Sequence, residues 1–231
     1  KSTLFTVTRH DSSWQFTPGE VTDTRYAMLG VRACELAAIA IQDRVFLGHA
    51  HPDRVYETIR RDLFTVGVNC GVAGGSCFCV SMETGPRCES GYDLVLTEVL
   101  QANRHEFVFE AGSEAGEAIL EQLPGTPAME EDLARVDQII ERTASSMGRS
   151  MDTVGIKQLL YDNPEHPRWE DVADRCLACT NCTLVCPTCF CSTVEDTVTL
   201  DGSEATRARR WDSCFSLDFS GLHGVPVRRS G

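Results

Sequence analysis

The first half of the chain alternates apolar runs of strand length with a longer apolar segment. Residues 26–31, 63–68 and 92–97 are the three apolar runs, and residues 105–109 are a candidate fourth strand. The Ala-rich segment ELAAIAIQDRVFL, which begins at Glu35, lies between the first two runs and predicts a helix. Strand, helix and strand at this spacing predict parallel pairing with a right-handed crossover.

The pattern changes after residue 112. Residues 112–128 are rich in acidic residues, glycine and proline, and we place a domain boundary there. From Met129 onward, apolar residues recur at spacings of three and four, which predicts a helix. A second helix is expected around Leu159. The second half is therefore predicted to be helical.

Composition and charge exclude some partners. The chain has 231 residues, with 34 acidic and 21 basic side chains, so its formal net charge is −13. A groove for nucleic acid needs clustered Lys and Arg, so nucleic acid is not an expected partner. No apolar run has the length of a membrane-spanning helix, and no membrane partner is expected. The basic residues that cluster form either a docking surface or a solvated face: Arg207, Arg209, Arg210, Arg228 and Arg229.

Twelve cysteines are an unusually large number for such a chain. In a small secreted domain they would indicate a disulfide framework. Here the chain is large, no signal peptide is visible, and many cysteines are only two or three residues apart. Cysteines so near each other in the sequence rarely form disulfides with one another, but they can bind the same metal centre. The sequence therefore predicts metal binding and a reducing, cytoplasmic compartment.

The stretch from Cys176 to Cys191 reads CLACTNCTLVCPTCFC. Its first four cysteines follow the spacing C-x-x-C-x-x-C-x-x-x-C-P. This spacing lets Cys176, Cys179 and Cys182 surround one iron–sulfur cube, while Cys186 turns toward another cube. A zinc ribbon needs two C-x-x-C pairs with a longer insert, and a thioredoxin-like pair would not need four cysteines. The spacing therefore favours a 4Fe-4S ferredoxin motif.

The side chains between these cysteines are small or apolar, namely Leu177, Ala178, Leu184 and Val185. Such a lining is expected to exclude water. It also leaves backbone N–H groups available to the sulfur atoms, which tunes the reduction potential.

Three further cysteines follow the motif. Cys189 and Cys191 come within a few residues of it, and Cys214 lies farther along the chain. They could ligate a cluster, shield one or simply pack. No second ferredoxin run occurs before Gly231. The fourth ligand of the cube at Cys176 is therefore expected from a continuation of the chain or from one of the extra cysteines.

Another group of cysteines lies where the predicted parallel strands end. Cys34 follows the first strand, Cys70 follows the second, and Cys77 and Cys79 lie on the Gly-rich loop after it. Because the carboxyl ends of parallel strands meet at one edge, these four are expected to converge. Four thiolates suit an iron–sulfur cluster or a tetrahedral zinc, and the alternative is four small buried core residues. Cys88, in a polar turn, is left out of this set.

No catalytic residue is legible in the sequence. The Gly-rich stretch 71–75 could bind a phosphate group, but it is neither G-x-G-x-x-G nor followed by a Walker lysine. Whether the chain is an enzyme stays open, and we do not expect it to be catalytic by itself.

These patterns together predict two domains. Residues 1–120 are expected to form an α/β domain with a small, mostly parallel sheet and a cysteine cluster at the strand ends. Residues 121–231 are expected to form an α-helical, ferredoxin-like iron–sulfur domain that continues beyond residue 231. The expected cofactors are 4Fe-4S clusters. At least one is expected, and two or more if the first cysteine group also binds iron.

Several segments, in the same order, resemble one known family. They are LGVRACELAAIAIQDRVFL, VNCGVAGGSCFCVSMETGP, RCLACTNCTLVCPTCFCSTVEDT and RRWDSCFSLDFS. They are similar to the beta subunit of cytoplasmic NiFe hydrogenases of the sulfhydrogenase type. That family comprises 4Fe-4S dicluster proteins related to the A subunit of anaerobic sulfite reductase. The resemblance covers nearly the whole chain from Tyr26 onward.

The resemblance implies a subunit that relays electrons through 4Fe-4S clusters between a flavin- and NAD(P)-binding subunit and a NiFe hydrogenase core. The alternatives are a subunit of a sulfite or polysulfide reductase and a zinc-stabilised docking module. The family's second ferredoxin motif does not occur within the 231 residues. The family's cysteines map onto Cys34, Cys70, Cys77, Cys79, Cys176, Cys179, Cys182 and Cys186.

Overall fold

The computed structural model describes residues 2–21, 24–101, 104–216, 219, 221–222 and 225–226. The chain divides into two compact units. The central unit is formed by residues 24–162, and the terminal unit by residues 1–23 together with residues 163–231.

The strands and helices are numbered in the order in which they occur along the chain. The strands are β1 (Ser2–His10), β2 (Ser13–Pro18), β3 (Ala27–Arg32), β4 (Phe64–Val68), β5 (Leu94–Gln101), β6 (Arg104–Ala111), β7 (Ser192–Val198), β8 (Glu204–Trp211), β9 (Gly221–Leu222) and β10 (Val225–Pro226). The helices are α1 (Ala33–Leu47), α2 (Arg54–Arg61), α3 (Glu114–Leu120), α4 (Glu130–Ser145), α5 (Ile156–Asp162), α6 (Arg168–Ala173) and α7 (Asn181–Val185). No helix within the described ranges is long and apolar enough to span a membrane.

The central unit is built on a four-stranded sheet with the order β3-β4-β5-β6. β3 pairs with β4 and β4 pairs with β5 in parallel, whereas β5 and β6 are antiparallel neighbours. The predicted parallel pairing of the apolar runs is therefore confirmed, and so is the fourth strand. The parallel strands end at the same edge of the sheet, which places the segments after β3 and β4 side by side.

The core of the central unit forms where α1 covers the sheet. Leu36 of α1 packs with Val31 of β3, Val95 of β5 and Ala33. Cys88 belongs to the same buried cluster and is only 3% exposed. Cys88 lies in a loop between Arg87 and Glu89, as expected, and its side chain points into this core as a small apolar group does.

The long amphipathic helix α4 also belongs to the central unit. Its apolar face buries Val136, Ile140 and Thr143, and the helix contacts β5 and β6. The helix predicted from Met129 is thus confirmed. The division of the structure falls near residues 23 and 162, whereas the composition break at 112–128 connects the sheet to a helix that packs back on it.

The terminal unit joins the two ends of the chain in one antiparallel sheet with the order β2-β1-β8-β7. Phe5 of β1 lies opposite Arg207 of β8, and Ser192 of β7 lies opposite Trp211 of β8. The helices expected after residue 121 are present, but the sequence analysis did not anticipate the strands β7 and β8. Their register depends on β1, which lies some two hundred positions earlier in the chain.

Basic residues of β8 are paired across this sheet. The guanidinium of Arg207 contacts Asp196 at 2.6 Å and that of Arg210 contacts Glu195 at 2.6 Å. Arg207 also lies 5.5 Å from the ring centre of Phe5. These pairs are exposed and contribute little stability individually. Arg228 and Arg229 lie outside the described residues.

The terminal unit buries little apolar surface. Among its described residues, Ala208 is the apolar side chain that is almost fully buried, and Ser213 is the buried polar one. Trp211 is 65% exposed and Leu200 is fully exposed. A sheet with so small a core needs a further source of stability.

A buried asparagine connects β4, β5 and the segment that carries Cys88. The Asn69 amide donates to Thr97 Oγ1 at 2.9 Å, and its oxygen accepts the Cys88 N–H at 2.7 Å. Asn69→Ala would leave these buried partners unsatisfied, so we expect the free energy of unfolding to fall by about 2–3 kcal/mol. Urea denaturation of the protein measures this loss.

The matched control is Gln158→Ala, which removes an exposed hydrogen bond to Asp162. We expect the control to change the unfolding free energy by less than about 0.5 kcal/mol. Equal stability of Asn69→Ala and this control would contradict the role given to Asn69.

Candidate metal centres

Cys34 lies where β3 passes directly into α1. β3 ends at Arg32 and α1 begins at Ala33, so Cys34 sits exposed in the first helical turn. The helix start is fixed by Glu35, whose carboxylate accepts the Arg32 N–H at 2.8 Å. The positive end of the helix dipole therefore faces whatever anionic group lies beside Cys34.

Cys70 and the loop that follows it are held at the same edge. The Cys70 N–H donates to the Pro86 carbonyl at 3.2 Å. Within the loop, the Cys77 N–H donates to Gly74 at 3.0 Å, and Cys79 opens a 3₁₀ turn over Cys79–Met82. The loop thus folds back over the strand ends, as the position of its glycines predicted.

Gly85 allows this loop to approach the start of α1. Its φ of +150° lies in a region that side chains rarely adopt. A Cβ there would lie 3.0 Å from the Ala33 Cβ and 3.3 Å from the Cys79 Sγ. The missing side chain therefore leaves room for Cys79 beside the helix turn that contains Cys34.

The segment after α4 supports the cysteine loop from another side, which the sequence analysis did not anticipate. The Arg149 N–H donates to the Cys77 carbonyl at 3.0 Å. The Met147 Sδ lies 3.9 Å from the Cys79 Sγ. A side chain at Gly148 would overlap the Gly75 carbonyl, so the backbones approach closely here. No pattern in the sequence marks this contact, because it depends on how α4 packs.

The four thiols at this edge lie within electrostatic range of one another. Burial, followed by the charges of Cys34 and Cys79, raises the pKa of the Cys70 thiol, against the opposing effect of Arg32. Burial and the charges of Cys34 and Cys77 likewise raise the pKa of Cys79. Four thiolates this close repel each other, so their joint ionisation requires a positive centre between them.

Cys88 does not share this role. Its Sγ lies 3.5 Å from the Val68 carbonyl, within the core. Burial, with a contribution from the charge of Cys70, raises the pKa of Cys88 to about 12. It stays protonated at neutral pH and packs as an apolar side chain.

The spacing of the acidic, His and Cys side chains bears on which metal group fits. In the part of the chain that the structure describes, no three of them are close enough to hold a single metal ion. A tetrahedral zinc with Zn–S bonds of 2.3 Å would need sulfur atoms about 3.8 Å apart. In an iron–sulfur cube, each cysteine binds a different iron, so the cysteine sulfurs lie farther apart. Four thiolates are a donor set that suits either an iron–sulfur cluster or a tetrahedral zinc, so the choice between them stays a prediction.

The ferredoxin motif forms a tight loop followed by one helical turn. Ala178 and Thr180 adopt left-handed backbone conformations, with φ of 49° and 62°. The Ala178 N–H points at the Cys176 Sγ, 3.4 Å away. Cys182 lies in the first turn of α7, and Cys186 follows its last residue. This is the short loop and helix start that the spacing predicted.

The apolar residues between these cysteines do not line a closed pocket. Leu177 is 87% exposed, Leu184 is 78% exposed and Val185 is 68% exposed. The expectation that they exclude water was wrong for the unit as described. A five-residue helix has too little surface to bury these side chains and present its cysteines as well.

The three cysteines whose roles were open lie near Cys186. Burial is the main cause that raises the pKa of Cys189. A hydrogen bond with Cys186 and the charges of Cys186, Cys191 and Cys214 raise it further. A hydrogen bond with Thr188 at 3.0 Å is the main cause that lowers the pKa of Cys186. Cys191 and Cys214 flank the hairpin formed by β7 and β8. The turn of this hairpin has a recognisable sequence, Asp201-Gly202 between two segments that contain Val and Thr.

Gly74 and Gly75 of the Gly-rich stretch 71–75 are exposed, and phosphate binding there stays a prediction. A cleft of about 200 Å³ lies between α1 and residues 83–91. Its lining includes Asp43, Arg60 and Glu89. Cofactor pockets in proteins are larger, about 300–1,000 Å³, so this cleft does not suit a flavin.

Comparison with known proteins agrees with the metal chemistry. Residues 175–231 match the 4Fe-4S dicluster domain family. Over 223 residues, the chain is 33% identical to sulfhydrogenase 2 subunit beta from Pyrococcus furiosus, with 91% of this chain and 63% of that protein covered. No solved structure matches the chain significantly. The resemblance to iron–sulfur beta subunits of hydrogenases is confirmed, and so is the 4Fe-4S cofactor.

The sparse core of the terminal unit predicts that its order depends on iron. We expect chelation of iron to speed amide hydrogen exchange in residues 176–214 by at least about tenfold, since metal binding supplies folding free energy. Strand β5, which lies in the packed core of the central unit, serves as the internal control. Exchange in residues 176–214 that is equally slow with and without iron would contradict this dependence.

Proposed function

We propose that this chain is an electron-transfer subunit that relays electrons through 4Fe-4S clusters between a flavin- and NAD(P)-linked subunit and a NiFe hydrogenase core. The observation that supports this most strongly is the C-x-x-C-x-x-C-x-x-x-C-P run at residues 176–186, within the segment that matches a 4Fe-4S dicluster domain. Thiolate-bound cubes accept and release single electrons, so the protein's task is to hold, space and tune them.

In this proposal, Cys176, Cys179 and Cys182 are ligands of one cube. The left-handed backbone at Ala178 and Thr180 curls the loop so that three side chains can point inward. The Ala178 N–H that points at the Cys176 Sγ would stabilise negative charge on that sulfur, which raises the reduction potential.

The strand-end cysteines are proposed to hold another cube. Support comes from the shared edge of β3 and β4, from the charges that Cys34, Cys70, Cys77 and Cys79 exert on one another, and from the close approach at Gly85. The start of α1 contributes a positive dipole end beside Cys34, and the Arg32 guanidinium contributes charge near Cys70. The protein would thus offset the negative charge of the cluster from two sides.

The partner proteins in this proposal come from the relative, whose name describes one subunit of a sulfhydrogenase. The match covers 63% of that protein, less than two thirds of its length. The surface beside the motif loop is consistent with docking, because Leu177, Leu184 and Val185 are exposed apolar side chains. Exposed apolar side chains next to a cluster provide a contact through which a partner can approach the redox centre.

The relative favours a hydrogenase over the other two candidates. Its name, sulfhydrogenase, supports a hydrogen-linked complex and does not separate it from one that also reduces polysulfide. The dicluster domain match supports iron–sulfur clusters rather than a zinc-stabilised module.

The variant Cys179→Ser tests the ligand assignment. Replacing a thiolate by a weaker alcohol ligand should remove or distort the cube at the motif, with a loss of up to about four irons per chain. Electron paramagnetic resonance of the anaerobically reduced chain would then lose one cluster signal, and iron analysis would record the loss.

Cys88→Ala is the matched control, because Cys88 is the cysteine buried in the core and assigned to neither site. We expect the control to keep the full spectrum and iron content. A Cys179→Ser variant with the same spectrum and iron content as the control would overturn the ligand assignment.

A further inference from the structure

One side of the sheet in the terminal unit carries aromatic and branched apolar side chains. Residues that lie directly opposite each other in antiparallel strands project to the same side of a sheet. One such row crosses all the strands, from Phe16 of β2 through Val7 of β1 and Ala205 of β8 to Val198 of β7. Side chains two positions away along a strand share this side. We call this side the aromatic face, and it also includes Phe5, Trp14 and Val194.

The opposite side of the same sheet is polar. Thr6 of β1 lies opposite Thr17 of β2 and Thr206 of β8, and Thr206 lies opposite Thr197 of β7. The hydroxyl oxygens of Thr6 and Thr206 are 3.4 Å apart. In antiparallel sheets of soluble proteins, the apolar side commonly packs against other parts of the protein while the polar side faces water. The alternation in these strands is therefore typical of a sheet whose aromatic face is covered.

The aromatic face is nevertheless open to solvent. Trp14 and Phe16 are 62% and 60% exposed, and Val194 and Val198 are 52% and 64% exposed. A sheet of strands with six to nine residues each, about 4.8 Å apart, presents roughly 450 Å² on one side. Contiguous apolar surface of a few hundred Å² marks an interaction site on many soluble proteins.

Arginine side chains lie beside the aromatic rings of this face. The guanidinium carbon of Arg9 is 5.9 Å from the centre of the Trp14 ring, and that of Arg207 is 5.5 Å from the centre of the Phe5 ring. Cation–π attraction holds these charged groups next to the rings before any partner binds. Aromatic residues and arginine are the residue types enriched at protein interfaces, and Trp and Arg often contribute most of the binding energy.

The charge of the aromatic face is opposite to that of the whole chain. In the described strands this side holds three arginines, Arg9, Arg207 and Arg209, against one acidic residue, Asp196. The chain as a whole has a formal net charge of −13. An acidic partner surface is attracted to such a face. A second copy that docked the same face would bring arginine against arginine, which is unfavourable.

We propose that the aromatic face of the terminal sheet is the docking surface for a partner protein whose own surface is apolar at its centre and acidic at its rim. The inference goes beyond the proposed function, because it requires no cluster and lies on the strands rather than on the motif loop. It also separates the basic residues of β8. Arg207 and Arg209 belong to the docking surface, whereas Arg210 projects to the polar side, where it pairs with Glu195.

The test begins with the tagged full chain, purified from its source cells with the subunits that stay bound, which mass spectrometry identifies. The probe is the subunit identified in this way, purified separately. The variant Phe16→Asp removes a ring from the centre of the face and adds a charge that repels an acidic rim. We expect its affinity for the probe to fall at least about tenfold.

Gln15→Asp is the matched control, because it adds the same charge at the neighbouring exposed position. Gln15 lies opposite Thr8 and therefore projects to the polar side. We expect the control to bind the probe as the unsubstituted chain does. Where circular dichroism shows that Phe16→Asp has lost its sheet, Trp14→Ala is measured in the same way, with the same expected loss.

Hydroxyl-radical oxidation of the complex locates the contact directly. We expect Trp14 and Phe16 to oxidise at least about fivefold more slowly in the complex than in the free chain, since a partner excludes water from the centre of its contact. Tyr161, an aromatic side chain of α5 that is 71% exposed, is the internal control and should oxidise equally in both.

Equal affinity of Phe16→Asp and Gln15→Asp for the probe, or equal oxidation of Trp14 in the complex and the free chain, would overturn the inference. So would an affinity that rises with added salt, since attraction between arginines and an acidic rim weakens in salt. A chain that retains no subunit, a self-association in sedimentation velocity that Phe16→Asp abolishes, or such a loss of binding to phosphatidylglycerol vesicles would also overturn it. Iron analysis of the same chain tests the proposed function separately.

Discussion

We propose that the terminal unit depends on bonds between cysteine sulfur and iron. Its sheet pairs β1 with β8. Among the described residues of this unit, Ala208 is the apolar residue that is almost fully buried, so the apolar core is very small. Hydrogen bonds of a sheet contribute little net stability without apolar burial. Metal–thiolate bonds can supply the missing free energy, as they do in other small cysteine-rich domains. Cofactor and fold are then stabilised together, and the cysteine loop is part of the architecture of this unit.

The central unit shows the opposite balance. Leu36, Val95 and their neighbours form a packed core between α1 and a mostly parallel sheet. Cys34, Cys70, Cys77 and Cys79 lie outside that core, at the strand ends. The fold positions them: Asn69 fixes the end of β4, and Gly85 leaves room for Cys79 beside α1. Here the scaffold would stand without a cluster, and the site is an addition to it. In the proposed relay, the central unit holds a cluster without depending on it for stability, whereas the terminal unit is stabilised by its cluster.

Local patterns in the sequence predicted the four strands of the central sheet, the helices α1, α4 and α5, and the backbone of the motif, but not α2 or α3. Apolar runs separated by one helix are enough to indicate β3, α1 and β4, and their parallel pairing places Cys34 and Cys70 at one edge. Cysteine spacing indicated the loop before α7.

Long-range packing could not be predicted from these local patterns. The pairing of β1 with β8, the return of α4 onto the sheet, and the burial of Cys88 each depend on contacts between distant parts of the chain. The grouping of Cys189, Cys191 and Cys214 with Cys186 was missed because the Asp201-Gly202 turn was not interpreted as a hairpin.

Anomalous X-ray scattering at the iron edge, from crystals of the anaerobically purified chain, tests the central claim most directly, since it places iron relative to each cysteine. We expect separate iron peaks beside the loop of Cys176, Cys179 and Cys182 and beside the edge where β3 and β4 end. Each peak should lie within bonding distance of the cysteine sulfurs, about 2.3 Å for metal–thiolate bonds. Scattering at the zinc edge alone, or iron bound away from these cysteines, would contradict the account.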